Sequence, residues 1–235
     1  MNRLFLFGKK YMDTIMFVDG IKTAETNNLY DVTEKIGGFY NFYEVDIKPW
    51  KISPIFSGTK KAFIVSDKSL SQRTSYVFDH TPCCISEAAI KVINSDSDWL
   101  HVCYIDDAEC YSDLSKITTS YSLDFCTDKP REPYFNIMNG AQILFDSRER
   151  KHLYKNMYLN TPLILHDEFG IEIIKDGEVI FEEKNEPLKD LNVNGAGDMF
   201  AALFIKNYHS LGLTESAKNA MVETTNLLFK RKNNE

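Results

Sequence analysis

The chain has 235 residues, 43% of them hydrophobic, which is enough for one α/β domain with a full core. A net charge of −7 and an isoelectric point near 5.3 argue against a nucleic-acid binder, because phosphate backbones are held chiefly by clustered Lys and Arg; the one basic cluster, Lys230-Arg231-Lys232, suits the negative end of a terminal helix. No apolar run approaches the roughly eighteen residues of a membrane span, the first residues lack a secretory apolar region, and an odd set of cysteines with Cys83 and Cys84 adjacent fits a reducing cytoplasm.

Arg3 to Gly8 is a short apolar run closed by Gly and reads as a buried strand, and Thr14 to Val18, ending at the turn signal Asp19-Gly20, reads as a second one. Strand-like patterning continues through Ala62-Phe63-Ile64-Val65 and the alternating Arg73 to Phe78. Residues 44–60, rich in Pro, Lys and Ser, read as a surface excursion. After Pro82 the rhythm changes. Ser86 is placed to cap a helix with the stripe Ala89, Val92 and Ile93, and strands at 99–103, 121–125, 141–145 and 162–165 are separated by helical stretches around 107–118 and 148–157. Such alternation implies right-handed crossovers and a parallel sheet covered on both faces. Ile171 to Ile174 and Glu178 to Phe181 form a hairpin across Lys175-Asp176-Gly177. Two helices close the chain, the second with Ala217, Met221, Thr224 and Leu228 on one face. The expected fold is a doubly wound, Rossmann-like, mostly parallel sheet in a single domain, 1–235, with a small β lid drawn from parts of 12–80 in a sheet of its own.

The strongest chemical signal is Asn194-Gly195-Ala196-Gly197-Asp198-Met199-Phe200. A small-residue turn opens into an apolar helix, so the amides of Ala196, Gly197 and Asp198 are expected to point together from a positive helix end. There they would form an anion hole that a phosphate approaches closely over glycine. A carboxylate on that first turn can accept a proton from an attacking hydroxyl. An Asp that merely caps its helix is the plainer alternative for an arbitrary Gly-Asp pair. His80, Cys83, Cys84, His101 and Cys103 include no Cys-x-x-Cys pair and match no zinc spacing, and His101 and Cys103 alternating with Trp99 read as strand packing. Neither a P-loop nor a nucleophile elbow is present.

Asn194 to Phe200 resembles the C-terminal signature of the ribokinase-like (PfkB-type) carbohydrate and nucleoside kinases, and the likeness extends upstream. Gly8 followed by Asp13 resembles the first strand and its substrate-binding aspartate. Gly37-Gly38 with Asn41 is similar to the glycine pair and Asn that contact substrate hydroxyls, and Gln72-Arg73-Thr74 to a strand bordering the pocket. Leu123-Asp124-Phe125 resembles the central strand ending in Asp, and Asp146-Ser147-Arg148-Glu149 the element near the Mg-ATP phosphates. The resemblance implies a cytoplasmic ATP-dependent kinase of a small polyol (a sugar, sugar derivative or nucleoside) that touches neither nucleic acid nor membrane. It further implies Asp198 as base with Gly195, Ala196 and Gly197 at the anion hole, and Asp13, Gly37, Gly38 and Asn41 on substrate. Asn194, Asp146, Glu149 and Gly170 would serve ATP, with Asp146 and Glu149 organising Mg2+ through water, and lids of this kind pair into homodimers. Two departures stand out. Asn192-Val193-Asn194 replaces the usual Asp-Thr-Thr or Asp-Thr-Asn, and the phosphate-lining Thr-x-Gly-x-x-Gly becomes Leu165-His166-Asp167-Glu168-Phe169-Gly170, which sets Asp167 toward phosphate charge. A kinase-fold protein that binds a metabolite or partner without turnover is the rival reading.

Overall fold

A computed structural model describes residues 2–18, 29–67, 72–78, 84–105, 109–186 and 191–234; the expected turn at Asp19-Gly20, and His80 and Cys83, lie outside them. The strands are β1 (Arg3–Val18), β2 (Leu29–Gly38), β3 (Lys51–Asp67), β4 (Gln72–Phe78), β5 (Trp99–Ile105), β6 (Tyr121–Phe125), β7 (Ile143–Ser147), β8 (Leu163–Asp167), β9 (Gly170–Lys175) and β10 (Glu178–Lys184). The helices are α1 (Glu87–Asp96), α2 (Phe135–Gly140) and α3 (Ala196–Asn234). All ten strands join one sheet in the order β10-β9-β8-β7-β6-β5-β1-β3-β4, with β2 on β1. From β3 across to β8 the sheet is parallel, and the hairpin β9-β10 closes one end antiparallel.

Period-two alternation divides the apolar residues between two cores. Leu4, Leu6, Ile143, Phe145 and Ile164 face one side, under α3 and the segment that carries Phe42 and Trp50. Phe5, Phe7, Leu144, Leu163 and Leu165 face the other, under α1, α2 and the short 3-10 turns. The first turns of α3 are buried all round, with Met199, Phe200, Ala201, Ala202, Leu203, Phe204 and Ile205 each below 5% exposure, so this helix is pinned at its N-terminus. Small Ala201 and Ala202 permit the close approach, and Phe204 meets Phe145 edge-on with ring centroids 5.4 Å apart. The expected pair of closing helices is one path that breaks at Gly212 (φ 74°), after which Ala217, Thr224 and Leu228 are buried as the face predicts.

Several elements differ from the reading of the sequence, each for a local reason. β1 is one strand rather than two. Leu4 to Phe7 pair with β5, the register against β3 slips between Gly8 and Lys10, and from Lys10 onward β2 takes the place that β5 leaves. Residues 51–60 are no excursion: they run parallel to β1 as the first part of β3. Pro54 is accommodated there because β4 pairs only from Lys61 onward, leaving the Pro54 stretch of β3 with β1 alone among the described strands. The projecting halves of β1 and β3, flanked by β2 and β4, therefore continue the main sheet instead of forming a separate one. In α1 the cap is as expected, Ser86 Oγ accepting from the Ala89 amide, but the buried stripe is Ile90 and Ile93 while Val92 is exposed. The helical stretches expected around 107–118 and 148–157 are 3-10 turns, Glu109–Lys116 and Arg148–Tyr154. Cys84 is disulfide-bonded, which a reading of the cysteines as reduced thiols does not foresee, whereas Cys103 and Cys126 are free. No described helix is long and apolar enough to cross a membrane.

Candidate active site

Three segments far apart in sequence converge where α3 begins. β2 ends at Gly37-Gly38, and Gly38 (φ 72°) turns the chain into the 3-10 segment Phe39–Glu44. That turn carries Asn41 to Asp198, where Asn41 Nδ2 donates to Oδ2 at 2.7 Å. From the end of β5, the Tyr104 hydroxyl donates to the other oxygen, Oδ1, at 2.5 Å. Gly195 (φ 77°) both makes the turn into α3 and leaves room, since a Cβ there would meet Asn41 Cγ at 2.6 Å. Asp13 of β1 lies over Gly37, where any side chain would collide with its carboxylate. Arg73 of β4 reaches across to Asn194, donating from Nη1 to Oδ1 at 2.7 Å, and Arg231 of α3 holds the Asn194 carbonyl at 2.8 Å.

The electrostatics follow from burial. Asp198 is 5% exposed, and desolvation raises its pKa to about 6 despite the opposing hydrogen bonds of Tyr104 and Asn41 and the charges of Arg73 and Lys35. Burial likewise pushes Asp13 up, against Arg73, the Asn194 side chain and Lys35. Glu44 is the exception: burial would raise it, but Lys35 and Arg231, both paired with it, hold it below the usual range. Asp124, at the end of β6, is driven well upward by burial and then by the fields of Asp198 and Asp146. A carboxylate poised near neutrality and hydrogen-bonded on both oxygens can accept a proton from a hydroxyl brought against it.

Most of the expected residues meet here, and some do not have the expected role. Asp13, Gly37, Gly38, Asn41, Asn194, Gly195, Gly197 and Asp198 form one cluster. The Ala196 amide is not an open donor, because it closes a turn on the Val193 carbonyl at 3.1 Å, so of the three first-turn amides expected to point outward only those of Gly197 and Asp198 are left. A Cβ on Gly197 would lie 3.2 Å from His166 Cε1; the His166 ring stacks on Phe200 at 4.7 Å, and burial lowers its pKa to about 4, leaving it neutral. Gly170 does not face this cluster. Its φ of 138° and the Glu183 carbonyl pressed against its Cα make it a close contact between β9 and β10, and only Glu168 and Phe169 separate β8 from β9. Asp167 caps that turn, accepting from the Phe169 amide at 2.8 Å, with the Arg148 guanidinium 3.7 Å away to offset its charge.

Asp146 also departs from its expected role. Its oxygens accept from Arg131 at 2.7 Å, Arg150 at 2.5 Å, the Tyr154 hydroxyl at 2.6 Å and the Ser147 amide at 2.8 Å, with Arg131 itself completely buried. Such a carboxylate is the anion of a closed ion-pair network, and Glu149 is exposed on the next turn. These two residues do not fit a Mg2+ site. Tyr104, His166 and Lys35 enter the cluster through spacing set by the sheet, and Arg231 through the course of α3, none of them with a signal in the sequence. His101, set aside above as packing, is wholly buried between Phe42 and Phe145.

No protein-family model and no curated protein sequence matches the chain. Solved structures do. The chain is similar to a Methanocaldococcus jannaschii nucleoside kinase described as an archaeal member of the ribokinase family, at 16% identity and TM-score 0.61 over 97% of this chain and 91% of that one. It is similar to Arabidopsis thaliana ribokinase complexed with ribose and ATP, at 14% identity and TM-score 0.65 over 97% and 92%. A possible 1-phosphofructokinase from Thermotoga maritima gives 11% identity and TM-score 0.66 over 97% and 92%. The fold is ribokinase-like. Within the ribokinase-like fold this chain assembles the cluster around Asp198.

The raised pKa of Asp198 carries a sign for stability. A folded pKa of about 6 against an ordinary 3.8 means that the folded state binds this proton more tightly; the burden is absent below pH 4, grows through pH 4–6 and is complete above pH 6. The stability of Asp198→Asn minus that of the parent is therefore expected to rise by up to about 3 kcal/mol between pH 4 and pH 7. Denaturant unfolding at the two pH values measures it, and an unchanged difference would show that the carboxylate is not desolvated.

Proposed function

We propose that the chain is an ATP-dependent small-molecule kinase that transfers the γ-phosphoryl group to a hydroxyl of a sugar, sugar derivative or nucleoside. The observation that carries the reading is the Asp198 carboxylate on the first turn of α3, beside the Gly197 and Asp198 amides and backed by Asn41 and Tyr104. In the reaction, the acceptor oxygen forms its bond to the γ-phosphorus while the bond from phosphorus to the β–γ bridging oxygen breaks, and Asp198 receives the hydroxyl proton. The first-turn amides of α3 stabilise the charge on the transferring group without rearranging. No step is assigned to Mg2+, because Asp146 and Glu149 do not fit it.

The acceptor side supports a polyhydroxy compound. Asn41 Oδ1 is a buried acceptor without a hydrogen-bond partner in the protein. A substrate hydroxyl can donate to it, and a neighbouring hydroxyl of the same compound can lie against Asp198. Arg73 and Lys35 offset part of the charge of Asp13 and Asp198.

The projecting half of the sheet is assigned to the lid. Register places Met12, Val32, Ile36, Phe63, Tyr76 and Phe78 on its outer face, all more than a third exposed. Glu34 and Lys61 lie on that same face, so a twofold-related copy can cover the apolar patch while pairing opposite charges across the axis. The assembly proposed is a homodimer through these faces.

Two measurements test these proposals. Calorimetry with ATP and ADP, followed by 31P NMR of the products from a panel of sugars, sugar acids, sugar phosphates and nucleosides, is expected to show nucleotide binding and one phosphorylated class. Nucleotide binding with no product in any class would instead favour the non-catalytic binding protein. Light scattering at micromolar concentration is expected to give twice the chain mass, reverting to one chain mass in Tyr76→Glu, and a parent of single chain mass would remove the dimer.

A further inference from the structure

The pairing of β5 with β6 contains one residue too many. Leu100, His101 and Val102 face Tyr121, Ser122 and Leu123 in step, and the next pair is Ile105 with Phe125, so β5 carries an extra residue just before its end. The consequence is visible in the cores. In an undisturbed strand Cys103 and Ile105 would share a face, yet Cys103 is buried with the α3 side and Ile105 with the opposite one. Tyr104, between them, takes φ 59°, a left-handed conformation that Gly or Asn adopts readily and a bulky aromatic residue rarely does. A bulge and a strained dihedral at one residue are the usual means of re-aiming a side chain next to a site.

The side chain so aimed meets Asp198. Its hydroxyl donates to Oδ1 at 2.5 Å, and its ring is braced edge-on by Tyr11 at 5.5 Å between centroids. Asn41 holds the other oxygen, so the carboxylate can neither rotate nor tilt without losing a hydrogen bond. Each oxygen keeps a further lone pair, and the acceptor hydroxyl has to come in along one of those directions.

We infer that Tyr104 is a positioning residue for the base: the β5 bulge holds its hydroxyl on Oδ1 and thereby fixes the direction from which Asp198 receives the acceptor's proton. The inference rests on the kinase reading given above and deepens it. The groups facing Asp198 are Tyr104 from β5, Asn41 from the 3-10 turn, Arg73 from β4 and Lys35 from β2, with Asp124 on β6 feeling its charge. Among these, only Tyr104 can lose its contact by a change of a single oxygen that leaves the ring packing in place.

Tyr104→Phe is that change. Loss of a hydrogen bond to the charged form raises the pKa of Asp198, so the acid limb of kcat/KM against pH is expected to move upward by about one unit, a size set by one bond to an ionised group. Rates would then be about tenfold lower than the parent on the acid side and converge above pH 8. A purely structural role for Tyr104 would lower stability or raise KM without moving that limb. Titration of Asp 13Cγ resonances, with Asp198 assigned by its loss in Asp198→Asn, gives the same answer without turnover. An active parent whose Tyr104→Phe variant keeps the same acid limb overturns the inference and leaves the kinase reading standing. A parent inactive on every acceptor overturns the kinase reading, and the carbon titration then decides whether Tyr104 controls Asp198: a higher midpoint in Tyr104→Phe upholds that control, and an equal midpoint refutes it.

Discussion

One hydrogen bond ties the site together: Asn41 Nδ2 to Asp198 Oδ2, between residues 157 apart in the chain. A carboxylate taken out of water is costly unless donors replace the lost solvation, and here the donors come from segments that only the finished fold brings close. Everything around the bond makes room for it. Gly195 has no Cβ because Asn41 occupies that space, Gly38 turns the chain so that Asn41 can reach, and Gly37 lies flat beneath Asp13. The cations then balance the account of charge: Arg73 fixes Asn194, while Lys35 and Arg231 hold Glu44 at the back of the turn that carries Asn41. The projecting strands, which supply Asp13, Lys35 and Arg73, and the N-terminus of α3, which supplies Asp198, are therefore parts of one electrostatic unit.

The surroundings of Asp198 and those of Asp146 are built on different principles. Beside Asp198 the buried Asn41 Oδ1 is left without a protein partner. Around Asp146 both oxygens are taken, Arg131 is wholly enclosed, and its guanidinium also stacks over Phe125 with the ring centroid 4.6 Å away. Open polar valence suits a place where a ligand comes and goes, whereas a saturated buried network suits rigidity and tolerates the loss of either partner poorly. Arg148, set between Asp167 and Glu182, ties the two-residue β8-β9 turn to β10 at the surface.

What could be read from the sequence is what depends on neighbours in sequence. Asn194 to Asp198 announces a tight turn, small residues and a carboxylate on a first helical turn in one short stretch, and Gly37-Gly38 with Asn41 does the same for the opposing turn. The alternation of strands and helices after Pro82 was likewise local, and it gave the parallel sheet. The continuous β1 and the first half of β3 were hidden because their stability comes from pairing with each other along their whole length, which Pro54 and the Lys-rich composition disguise. Asp146 misled for a similar reason. An Asp at the end of a strand looks the same whether it faces a ligand or two arginines; Arg150 stands four residues on, but the buried Arg131 is placed beside it only by the fold. The extra residue in β5 leaves no mark in sequence, since it exists only relative to the register of β6.

The central claim is that Asp198 does chemistry and does not merely complement its helix. Asn is as good a residue at a helix start and nearly the same size, so Asp198→Asn should fold and, with the Gly197 and Asp198 amides intact, still bind ATP. The measurement is the single-turnover rate of phosphoryl transfer to the acceptor in the folded, nucleotide-bound variant. A fall of about 10²–10⁴ relative to the parent is the expected result for a lost general base. A rate within a few-fold of the parent would contradict the account.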